Sequence, residues 1–140
     1  MYGFECLSRN FYGVEIFRGE IDLSKERAII FFFIVEHTNE KDFIFKQALQ
    51  LLLAGSKQFI FFGKQKLIWH TAFDKLHMKM FPNNSLEMVA VTSEYETIAD
   101  FADEIALCIR CRYLVPTDIY LVYDDEETYQ SVLKMLGKVI

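Results

Sequence analysis

Ala28-Ile-Ile-Phe-Phe-Phe-Ile-Val35 is the longest apolar run in the chain, and its continuity marks a central strand buried on both faces. Three more short runs have the same look: Gln58–Phe62, Leu86–Thr92 and Asp118–Tyr123. A helix-like stretch follows each of the four. Parallel strands need a crossover, and a helix is the usual one, so the alternation predicts an α/β fold with a mostly parallel sheet.

The helices follow from apolar period and from end signals. Asn39 to Ala54 puts Phe45, Ala48, Leu49 and Leu52 on one expected face, with Gly55 where a left-handed cap belongs. Trp69, Ala72, Phe73, Leu76 and Met80 make a single stripe ahead of Pro82-Asn-Asn-Ser85. Thr97 is a suitable N-cap for a helix from Ile98 to about Tyr113, with Ile98, Phe101, Ala102, Ile105 and Ile109 turned inward. Asp125 caps a last helix carrying Tyr129, Val132, Leu133 and Leu136. The expected architecture is a three-layer sandwich of four βα units, Rossmann- or flavodoxin-like, with the four strands in the order 2-1-3-4. Phe11–Phe17, with Tyr2, Phe4 and Cys6, adds an N-terminal hairpin or edge strand. No linker-like tract interrupts residues 1–140, which are read as one domain.

Composition narrows the function classes. Apolar residues make up 52% and charged residues 25%, a globular balance. No run approaches the roughly 20 apolar residues that span a membrane, so no membrane association is expected. Three cysteines at irregular spacing suggest no disulfide framework, and the start lacks a signal-peptide pattern; both point to the cytoplasm. Net charge is −5 but polarised: residues 41–80 hold seven Lys against two acids, and residues 93–128 hold ten acids against two Arg. Such polarity steers charged partners, and it also simply solvates helix faces.

Strand ends are where α/β sheets hold ligands. Here they carry Glu36-His-Thr-Asn39, Gly63-Lys64, Thr92-Ser-Glu-Tyr-Glu96 and Asp124-Asp-Glu-Glu127. One reading gathers Glu36, His37, Glu94 and Asp124 into an acidic metal or acid–base site, as in a metal-assisted hydrolase or nucleotide-handling enzyme. The simpler reading makes these residues caps and dipole complements. With an order of 2-1-3-4, the crevice falls between the first and third strand ends.

No glycine pattern of a phosphate loop and no serine–histidine pair is present, so no cofactor and no catalytic residue is assigned. Cys108 and Cys111 sit deep in a helix, where small buried side chains account for them better than redox chemistry. His37, His70 and His77 lack metal-ligand spacing, and no metal is assigned. Lys57, Lys64, Lys66, Lys75 and Lys79 read as a solvated face; the acidic total argues against nucleic acid.

What remains is a small acidic protein-interaction module. Its expected binding residues are Glu94, Glu96, Asp100, Asp103, Glu104, Asp124 and Asp125, directed at a basic partner protein. In size and charge this is similar to bacterial immunity or inhibitor proteins, an analogy at that level only. The many phenylalanines leave a homodimer face open as well.

Overall fold

The computed structural model describes residues 4–16, 28–56, 58–82, 91–111 and 117–137. In chain order these form β1 (Phe4–Ser8), β2 (Phe11–Glu15), β3 (Ala28–Ile34), α1 (Lys41–Leu53), β4 (Gln58–Phe62), α2 (Lys66–Met80), β5 (Val91–Tyr95), α3 (Ile98–Cys111), β6 (Thr117–Tyr123) and α4 (Glu126–Leu136). The six strands make one sheet in the order β1-β2-β6-β3-β4-β5, parallel throughout except for the antiparallel β1–β2 hairpin. The α/β class is therefore as expected, and of the two N-terminal alternatives the described residues form the hairpin; Tyr2 and Phe17 of that expected segment lie outside them.

The strand order is not. The four repeating strands run 4-1-2-3 rather than 2-1-3-4, because β6 returns to the far side of β3. Helix placement accounts for this. Helices α1 and α2 pack with Phe31, Phe33, Phe59 and Phe61 on one face of the sheet. Helices α3 and α4 pack with Phe32, Ile34, Ile60 and Leu121 on the other. Right-handed crossovers put helices on one face when the chain steps from β3 to β5, and on the opposite face when it steps back to β6.

The third strand also differs from expectation. Among the described residues it is Val91–Tyr95, so it runs past the expected end at Thr92; residues 86–90 of the expected Leu86–Thr92 lie outside the described residues. As a terminal strand it is only half-buried, so Thr92, Ser93 and Glu94 are tolerated there. Helix α1 is turned slightly from the expected face: Ile44, Ala48, Leu51 and Leu52 are buried and Phe45 is exposed.

Register explains the aromatic content. Tyr12, Tyr120, Phe31 and Phe59 are successive partners across β2, β6, β3 and β4. Their rings stack at centroid distances of 5.2, 5.4 and 5.8 Å. Phe33 and Phe61 repeat the contact one row on, at 5.3 Å, and Trp69 of α2 lies 5.2 Å from Phe33. Cross-strand aromatic pairs of this kind contribute beyond the area they bury. On β5 the same two rows end in polar residues, Thr92 opposite Phe59 and Glu94 opposite Phe61.

On the other face one row is left deliberately small. Gly13 pairs with Glu5 on β1 and with Leu121 on β6, and Tyr129 of α4 lies across it to donate a hydrogen bond to Glu5. Tyr129 also stacks on Tyr123 at 3.8 Å. Burial, then the Glu5 bond, pushes the Tyr129 phenol far above its ordinary value; burial takes Tyr123 to about 12. Helix α4 thereby ties the hairpin to the sheet. A Cβ at Gly13 would stand 1.9 Å from the Tyr129 hydroxyl oxygen. Gly13→Ala is expected to lower stability by about 1–3 kcal/mol, since overpacking a fixed core displaces its neighbours. Urea unfolding measures it, and unchanged stability would show that Tyr129 is not held against the strand.

Candidate functional site

Strands β3 and β6 are parallel neighbours, but the helices that follow them part: α1 leaves β3 for one face and α4 leaves β6 for the other. This divergence opens the crevice where sheets of this class hold ligands. It lies between the first and fourth repeating strands, not the first and third, as a direct consequence of the observed order.

Asp124 stands in that crevice. Its Oδ1 accepts from the Glu36 amide at 2.8 Å. Its Oδ2 accepts from the amides of His37 at 2.9 Å and Thr38 at 2.8 Å, and from the Thr38 hydroxyl at 2.8 Å. Three successive amides converging on one anion is the arrangement of an anion-binding nest, here filled by the chain's own carboxylate. The neighbouring residue has a different task. Asp125 caps α4, accepting from the Thr128 amide at 3.0 Å and the Thr128 hydroxyl at 2.6 Å, and it meets His37 Nε2 at 2.8 Å.

The loop between β3 and α1 is held at two further points. The Trp69 indole donates to the Thr38 carbonyl at 2.8 Å, which gives a fully buried tryptophan its polar partner. Val35 accepts from the Gln65 amide at 2.9 Å. Gly63 permits that approach: its φ is +120°, and a Cβ there would stand 2.6 Å from the Val35 carbonyl oxygen.

Of the expected acid–base set, Glu36 and His37 meet Asp124 through their backbone amides, with the His37 ring on Asp125, and Glu94 lies apart. Glu94 lies on β5, two strands from β3. It belongs to a second polar group that periodicity alone did not reveal. Thr92 donates to Asp74 Oδ1 at 2.6 Å, so His70 Nε2 is the donor toward Thr92 at 3.0 Å and toward Asp74 Oδ2 at 3.2 Å. His70 Nδ1 is 3.8 Å from Glu94 Oε2. The available signal was alternation, Thr92 and Glu94 sharing one face of β5, opposite His70 and Asp74 one turn apart on α2. Among the described residues no three His, Cys, Asp or Glu side chains form a group able to hold a metal ion.

The seven expected partner-binding acids divide by environment. Asp124 and Asp125 are taken up in the crevice and the α4 cap. Glu94 faces His70, and Glu96 reaches Lys66 at 3.4 Å. Glu104 is half-buried beside Tyr95, whose phenol is pushed up by burial and then by that carboxylate. Asp100 and Asp103 are exposed on α3, with the Asp100 amide bound to the Thr97 hydroxyl at 3.1 Å as the expected N-cap. Cys108 is half-buried, and burial lifts its thiol to about 11; Cys111 is exposed, contrary to the expectation that both are buried.

The outer surface of α1 and α2 forms a groove of about 790 Å³. Phe45, Leu67 and Met78 line it while 46%, 64% and 66% exposed, and Lys41, Lys75 and Lys79 rim it. Lys57 of the expected basic set lies outside the described residues. No helix among the described residues is long and apolar enough to cross a membrane.

These features define a three-layer α/β protein whose switch-point crevice is closed by an internal carboxylate. No family model, no curated protein and no solved structure matches the chain.

The His37–Asp125 pair makes stability depend on pH in a defined window. The Thr128 hydroxyl bond and then His37 hold Asp125 at about 2, below its ordinary 3.8; its contribution is complete above 3.8 and is lost as pH falls toward about 2. The bond to Asp125 raises His37 above its ordinary 6.5; that contribution is complete below 6.5 and is lost as pH rises through the folded value. Stability from the pair is therefore greatest between about pH 4 and 6.5. His37→Ala is expected to flatten the decline of the urea midpoint above pH 6.5, and identical profiles for variant and parent would contradict the pairing.

Proposed function

We propose that the chain is an acidic protein-interaction module of the cytoplasm, which covers a basic surface of another protein through α3, in the manner of an immunity or inhibitor protein. The observation that carries this reading is the outward stripe of α3. Asp100, Asp103 and Leu107 are all exposed and stand at i, i+3 and i+7, one face of the helix. The two carboxylates precede the exposed leucine and the exposed Arg110 follows it, so the acidic charge gathers at the N-terminal half of the stripe, where an apolar contact combines with charge that steers a basic partner.

The disposition of the other carboxylates favours the same reading. Asp124 accepts four hydrogen bonds, three of them on Oδ2, which occupies most of its acceptor capacity and opposes the use as a metal ligand or base that a hydrolase using the strand-end acids requires. Free cysteines among the described residues suit a reducing compartment.

Affinity capture of the tagged chain from its native cells is expected to recover a basic protein whose binding weakens as salt rises. With the purified partner, Asp100→Lys/Asp103→Lys should weaken the complex at least about tenfold, mostly through slower association. Circular dichroism confirms that the variant is folded. Equal affinity for parent and variant would contradict the proposal, as would a cation-dependent hydrolytic activity abolished by Asp124→Asn.

A further inference from the structure

The groove between α1 and α2 lies on the face opposite α3 and takes no part in the reading above. We propose that it docks an acidic amphipathic helix of a second partner protein. Two features set it apart from an ordinary solvated helix surface. The first is its apolar content: Phe45, Leu67 and Met78 are large side chains left exposed together, above the buried Ile44 and Leu76. Contiguous exposed apolar surface rimmed by charge marks an interaction site more often than scattered single residues do.

The second feature is the charge of the rim. Lys41, Lys75 and Lys79 border the groove, against one acid, Asp42. None of the three lysines has an ion-pair partner among the described residues. Lys75 and Lys79 are also one helical turn apart, a like-charge spacing that works against the helix carrying it. Carboxylates brought by a partner would reverse that penalty. Electrostatic complementarity therefore selects an acidic occupant.

Geometry selects a helix. The groove runs between helices of 13 and 15 residues, so it offers about 20 Å of length, enough for three or four turns. An amphipathic helix fills such a groove with anchors at i, i+3 or i+4, and i+7, keeping its flanking carboxylates at the rims. Leu67, Thr71, Lys75 and Met78 lie along the groove side of α2 and offer both contacts in turn, apolar and basic.

The test uses the whole chain and a fluorescein-labelled 18-residue peptide, leucine at the anchor spacing and glutamate elsewhere, beside a counterpart with lysine in place of glutamate. Anisotropy should show saturable binding of the acidic peptide with Kd of about 10 µM, and at least tenfold weaker binding of the lysine peptide. Leu67→Glu/Met78→Glu should weaken binding at least tenfold. Lys75→Glu/Lys79→Glu should do the same and reduce the salt dependence. Because Leu67, Met78, Lys75 and Lys79 are not core residues, unchanged thermal unfolding is the control for folding.

Asp100→Lys/Asp103→Lys should leave peptide affinity unchanged, so failure here is distinct from failure of the α3 reading. No saturation by 1 mM peptide, equal affinity for the two peptides, or indifference to Leu67→Glu/Met78→Glu would overturn the proposal. So would transfer of the groove to another occupant. A concentration-dependent mass increase abolished by Leu67→Glu would assign it to a second copy of the chain. Binding to phosphatidylglycerol vesicles without peptide binding would assign it to a lipid surface.

Discussion

One carboxylate closes the point at which this fold divides. The parallel sheet sends α1 to one side and α4 to the other between β3 and β6, and Asp124 bridges the gap with four hydrogen bonds to the loop after β3. Without an anion there, three amide groups would converge on empty space, and convergent donors are costly to leave unmet. The anion could have been a ligand, as in many sheets of this class. It is instead part of the chain. Trp69 and Gly63 then have intelligible roles, since both hold the same loop from the side of α2.

Closing the crevice moves interest to the helix faces, and there the polarity of the chain becomes spatial. Residues 41–80 supply α1 and α2 on one side of the sheet; the acidic block supplies α3 and most of α4's first turn on the other. The sheet between them carries the stacked aromatic rows on its α1/α2 side. Each face retains exposed apolar residues among its charges: Phe45, Leu67 and Met78 on the basic side, Leu107 and Met135 on the acidic side. In the reading proposed above, these two chemically opposite surfaces are where partner proteins dock.

Local features were legible in the sequence and long-range ones were not. Apolar stripes located all four helices, and Thr97 and Asp125 capped as their side-chain chemistry required. Strand order escaped because it depends on which face α3 chooses, a property of packing rather than of any residue. The end of β5 was missed because Ser93-Glu-Tyr95 looks like a loop until His70 is seen beside Glu94 and Asp74 beside Thr92. Asp124 and Asp125 read alike as caps. Only Asp125 is one; the donors to Asp124 lie 86 to 88 residues earlier, beyond the reach of any periodicity.

Amide hydrogen exchange at Glu36, His37 and Thr38 tests most directly whether Asp124 seals the crevice. In the parent chain the three amides should be protected, that of the exposed His37 included. In Asp124→Ala they should exchange about tenfold faster or more, since each lost bond is worth about 1–3 kcal/mol, while the amides of α3 keep their protection. Exchange at unprotected rates in the parent, or rates at these three positions that Asp124→Ala leaves unchanged, would contradict the account.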